Sequence, residues 1–200
     1  MADIKDKLIR LKSIALSDKQ VEKMAGAKMI LYKDLYKYKT IEELLDHHNG
    51  KVILLYISPH DDNFGHFTAL IKTFYGKDRE ECIEWIDSYG YKPDEELEFS
   101  SNDPKHGQDF KFLSLLMLSS PYLLTYNDHK FQKQGAGINT CGWWASCRIL
   151  NKDKTLKEFK KFIDDIVKDN DEIKDADDAV VVLMYDEYKD VSTIGGRIIL

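Results

Sequence analysis

The spacing of apolar residues along the chain is first helical, then extended, then helical again. In the first fifty residues, "LSDKQVEKMAG" reads as a helix with Ser17 or Asp18 as N-cap and Gly26 as its stop. "TIEELLDHHNG" reads as a second helix, capped by Thr40, with Glu43 at the capping-box position and Asn49-Gly50 at its end. The period then shortens. "KVILLYIS" (residues 51–58) is a nearly continuous apolar run between "NG" and "PHDDN", the pattern of a buried strand. "HFTALIKTFY" (66–75) and "CIEWIDSYG" (82–90) predict two more strands, joined by the polar turn "GKDREE" into an antiparallel meander.

Helical spacing returns with "PDEEL", a short helix with Pro93 in its first turn, and with the longer apolar "DFKFLSLLMLSS" (109–120). "YLLTYNDHKFQ" predicts a further strand. "CGWWASCRIL" and "TLKEFKKFIDDIV" predict helices, the second capped by Thr155, and "DADDAVVVLMYDEY" predicts a last one behind acidic residues. This order points to an α+β fold with a central, mostly antiparallel sheet flanked by helices. A single domain over 1–200 is expected, with an N-terminal helical segment (1–50), a core (51–168) and a C-terminal extension (169–200). The tail "STIGGRIIL" reads as a flexible turn before a short terminal strand; a self-cleavage site at Gly195-Gly196 is the other reading.

Composition narrows the function classes. Lys and Arg number 29 against 35 Asp and Glu, a formal net charge of -6, so a phosphate-gripping nucleic-acid partner is not expected. The basic stretch "KEFKKF" is followed at once by acids. No apolar run approaches the roughly 18 residues of a membrane span, and "MADIKDKLIRLKSI" lacks the apolar core of a secretory signal. Three cysteines, an odd number with no metal or disulfide spacing, suit a reducing compartment.

One of the three stands out. In "QKQGAGINTCGWWASCRI", Cys141 directly precedes a glycine at a predicted helix start, where free backbone N–H groups and the helix dipole favour thiolate. Gly142 is expected to clear space for a substrate backbone. Taken alone, Cys141 reads equally as a buried structural thiol, as do Cys82 and Cys147. A nucleophilic thiol needs a base, and of His47, His48, His60, His66, His106 and His129 only His66 follows a glycine and opens a strand. Asp87 continues the apolar row of Ile83 and Trp85, so it can orient that base; it can also be a turn residue ahead of "SYG". Gln134 or Gln132 could supply an oxyanion donor. Of Trp143 and Trp144, one is expected to pack inward and the other to wall the site. The cluster "HDDNFGH" (His60, Asp61, Asp62, His66) leaves a metal hydrolase as a rival.

Taken together, "GHF…ALI", "IEWIDSYG" and "QGAGINTCGWW" resemble, in this order, the His–acid–Gln–Cys segments of the adenovirus protease and SUMO-specific protease superfamily. They are most similar to capsid-maturation proteases of large DNA viruses and virophages, over roughly residues 50 to 165. Gly65, Phe67, Tyr89, Gly90 and Gly142 match the surrounding pattern. The resemblance implies a papain-like-related cysteine protease fold with the nucleophile at a helix N-terminus. It places the base on His66, the orienting acid on Asp87, the oxyanion donor on Gln134, with Gln132 as its rival, and the nucleophile on Cys141. It further implies a cysteine endopeptidase acting on viral capsid proteins, in the host cytoplasm or virion interior. Adenovirus protease is helped by DNA and a cofactor peptide; the acidic balance and the lack of a spare reactive thiol argue against both here, and no metal or cofactor is expected. A deconjugating protease cutting ubiquitin-like tails and a non-enzymatic capsid-binding module remain alternatives.

Overall fold

A computed structural model describes residues 4–99 and 103–195. Its centre is a five-stranded sheet in the order β1-β2-β3-β4-β5, with β1 at Lys28–Leu31, β2 at Lys51–Ile57, β3 at Gly65–Tyr75, β4 at Glu80–Ile86 and β5 at Leu123–Tyr126. The meander β2-β3-β4 is antiparallel as expected. Both edge strands, however, run parallel to their neighbours. The sheet is therefore mixed rather than mostly antiparallel, and the first fifty residues are not purely helical. Four residues, "KMIL", are too short a run to show a strand period, and β1 forms because β2 offers it an open ladder.

Helices cover both faces: α1 (Ile4–Lys12), α2 (Asp18–Ala25), α3 (Ile41–Asp46), α4 (Glu96–Phe99), α5 (Phe112–Leu118), α6 (Cys141–Leu150), α7 (Leu156–Asp169), α8 (Ala176–Leu183) and α9 (Tyr185–Val191). Their ends follow local chemistry. Ser17 and Gln20 close a reciprocal capping box on α2, as Thr155 and Glu158 do on α7. Thr40 caps α3, but Glu43 reaches back to the Lys39 N–H instead of completing the box. The expected last helix breaks at Met184 into α8 and α9.

The alternation of β2 explains its unbroken apolar run. Ile53, Leu55 and Ile57 face one core with α2, α6, α7 and α8, and residues from both ends of the chain, from Leu8 to Val191, share it. Val52, Leu54 and Tyr56 face a second core with Tyr32, α3 and α5. A strand buried on both sides needs no polar face. Helix α6 lies on β3 and is pinned to β4 by a fully buried pair in which Arg148 Nε and Nη2 donate to the two Glu84 oxygens at 2.7 and 2.9 Å. The Gly195-Gly196 reading and the expected terminal strand lie outside the described residues.

Candidate active site

The strand ends build the site. His66 is the second residue of β3, opposite Tyr56, and Asp87 follows the last residue of β4. His66 Nε2 lies 3.2 Å from Asp87 Oδ2, with the carboxylate fully buried and the imidazole nearly so. The Cys141 side chain, on the first residue of α6, is a further polar neighbour of the same imidazole and helps raise its pKa. Since Nε2 faces the acid, Nδ1 is the nitrogen left for the sulfur.

Each member is held from behind. Asp87 Oδ1 accepts the Tyr89 N–H at 2.7 Å, while the buried amide of Asn127 brackets the Asp87 backbone, accepting its N–H and donating to its carbonyl. The Tyr89 ring stacks on the imidazole with centroids 4.9 Å apart. Gly90 turns the chain there at φ +78°, and an added Cβ would press on the His129 backbone at 3.2 Å. Burial pulls the His66 pKa down, but the charges of Asp87 and Glu96, the hydrogen bond to Asp87 and the neighbouring Cys141 outweigh it. The net position is well above 6.5.

The two glutamines separate. Gln132 is buried, accepting from Ser88 Oγ and spending its amide hydrogens on Tyr89 Oη and the Ile138 carbonyl. Gln134 is exposed, and its amide donates to Tyr91 Oη at 2.9 Å. The segment leading to Cys141 is clasped by Asp177 of α8, whose carboxylate accepts Thr140 Oγ1, the Trp144 indole N–H and the Lys133 N–H at 2.5, 3.0 and 2.9 Å. From the other side, Asn139 bonds the Lys12 and Ser13 carbonyls.

Three expectations change. Gly142 does not clear room for a substrate: a Cβ there would meet Val21 at 2.8 Å and Phe67 at 3.3 Å, so it lets α2 and β3 close on α6. Neither tryptophan walls the site. Trp143 packs on Tyr188 and Trp144 on Phe131, both within the core. The "HDDNFGH" residues do not gather round an ion, because Asp62 pairs with Lys105 and His106 while Asp61 accepts from Asn63.

Asn127, Asp177 and Glu96 were not singled out by the sequence. Asp177 stands among three acids in "DADDA", with nothing local to mark it. Glu96 is buried, and desolvation raises its pKa to about 7. One ligand atom from each of His66, Asp87 and Glu96 lies within 4.8 Å of the others, the one such cluster among the described residues. Two of the three already engage each other.

No protein-family model matches the chain. Over 160 residues it is 36% identical to uncharacterized protein V9 of Sputnik virophage, covering 76% of this chain and 85% of that one. Two solved structures are similar at lower levels. The central domain of the uncharacterized Lpg1148 protein of Legionella pneumophila aligns at 13% identity over 89% of this chain and 99% of that one, TM-score 0.34. SUMO protease Ulp1 with its catalytic cysteine oxidized to a sulfinic acid aligns at 11% over 91% and 77%, TM-score 0.28. Likeness at this level says nothing of the chemistry, which rests on the geometry above.

Proposed function

We propose that this chain, which belongs to the family of Sputnik virophage protein V9, is a cysteine endopeptidase. The observation that carries the reading is the buried His66–Asp87 pair with Cys141 beside the imidazole. His66 Nδ1 takes the thiol proton, and Asp87 holds the imidazolium in register. The sulfur attacks a peptide carbonyl carbon, forming a C–S bond, and the oxyanion rests on the Cys141 N–H and the Gln134 amide. As the C–N bond breaks, His66 gives its proton to the leaving amine. Water then loses a proton to His66, attacks the thioester, and releases the acid and the thiol. Viral structural proteins are the substrate class this reading favours, given the viral source of V9 and the motif order. Incubation with denatured coat protein, followed by mass mapping of new termini, tests it. Cleavage that survives a thiol alkylator but stops with chelator would sink it.

Gln134 is the better oxyanion donor because both amide hydrogens of Gln132 are engaged. Gln134→Ala is expected to lower kcat about 10²-fold with the fold intact. A loss confined to Gln132→Ala, without unfolding, would reassign the role.

The raised His66 pKa also has a sign. The folded state holds the imidazolium proton more tightly than the unfolded chain, so its stability contribution is complete below about 6.5. That contribution fades as pH rises through the folded value. Asp87→Asn should move the high-pH limb of kcat/KM downward; an unmoved limb would show that Asp87 does not set it.

A further inference from the structure

Three short segments meet at one buried amide. Gln132 is 3% exposed and lies in the loop that leads from β5 to α6. Its Oε1 accepts the Ser88 hydroxyl at 2.7 Å, and its Nε2 donates to Tyr89 Oη at 3.1 Å and to the Ile138 carbonyl at 3.3 Å. The backbone follows the same line, since the N–H groups of Phe131 and Gln132 both donate to the Ser88 carbonyl at 2.9 Å. Ser88 and Tyr89 directly follow Asp87, and the Tyr89 ring lies within 17° of parallel to the His66 imidazole it stacks on. Ile138 stands in the segment that runs straight into Cys141. One side chain thus ties the support of the base to the lead-in of the nucleophile. With both amide hydrogens and the carbonyl engaged, slippage of any arm leaves a buried polar group unpaired, so the spacing is held. Gln134 differs, because its amide donates to Tyr91 instead of to either arm.

We propose that Gln132 is a positioning residue that sets the spacing between the His66 imidazole and the Cys141 sulfur, acting through Tyr89 on one side and Ile138 on the other. The assignment rests on the peptidase reading, but its test needs no turnover. A thiol reacts with iodoacetamide as its thiolate, the sulfur displacing iodide, and no oxyanion forms. At about pH 6.5, below the ordinary thiol value near 8.5, that thiolate depends on proton transfer to His66; at about pH 10 it forms unaided. Labelling of Cys141, mapped by mass to set aside Cys82 and Cys147, is compared in wild type, Gln132→Met, Tyr89→Phe and Gln134→Ala.

Gln132→Met keeps the volume, removes the amide and is expected to slow labelling about tenfold or more at the lower pH. Its rate at the higher pH should stay near that of wild type. Tyr89→Phe keeps the stacked ring and removes the acceptor, so it should slow the same reaction by less. Gln134→Ala loses turnover at the oxyanion yet should label as wild type does. Wild-type labelling at the lower pH by a folded Gln132→Met overturns the proposal; should that variant not fold, wild-type labelling by Tyr89→Phe overturns it. Slowing of equal size at both pH values also overturns it, because that is lost access and not a lost proton acceptor. The peptidase reading fails separately. Gln132-dependent labelling in a protein that cuts no peptide removes that reading and leaves the positioning role, whereas Cys141-dependent cleavage with labelling indifferent to Gln132 does the reverse.

Discussion

Replacing Cys141 with alanine is expected to abolish peptide hydrolysis, lowering kcat by roughly 10⁴-fold or more, because a nucleophile lost from a relay takes the covalent route with it. The other thiols cannot substitute. Burial pushes Cys82 up to about 11 and Cys147 up to about 12. At neutral pH a thiol at 11 is ionised in about one molecule in 10⁴. Alanine at 141 removes one sulfur beside His66 and no backbone bond, so stability should change by about 1 kcal/mol or less. Mass mapping beside urea unfolding separates the two outcomes. Wild-type cleavage by a folded Cys141→Ala protein ends the mechanism.

Arg148→Ala is expected to produce the largest loss of stability, about 3–5 kcal/mol in urea unfolding. The guanidinium is fully buried, forked onto Glu84, and also donates to the Asn151 and Lys154 carbonyls. Its removal strands a carboxylate in a low-dielectric core. The double change Arg148→Met with Glu84→Leu removes both charges and should recover much of the loss. A single variant within about 1 kcal/mol of wild type would mean that water reaches Glu84. Because α6 carries Cys141 at its opposite end, the single variant should lose activity in step with its fold.

Local signals were legible where the physics is local. Ser17, Thr40, Thr155 and Gly26 terminate their helices as the sequence indicates. The unbroken apolar run "KVILLYIS" and the strand-like "HFTALIKTFY" mark the meander that brings His66 and Asp87 to one sheet end. What escaped depends on distant partners. The parallel edge strands exist only through β2 and β4. Gly142 owes its place to Val21, over a hundred positions earlier. Trp143 and Trp144 look alike in sequence, and only Tyr188 and Phe131 say where each goes. Asn127 and Glu96 gain meaning from the Asp87 backbone and from the His66 imidazole.

The Asp177 clasp bears on when activity can begin. The carboxylate that seats Thr140 and Trp144 is translated well after the nucleophile itself. While synthesis is still in progress, and until α8 has cleared the ribosome, a chain holds its thiol and imidazole without the latch that aligns them. On the peptidase reading, competence to cut is therefore expected to come late.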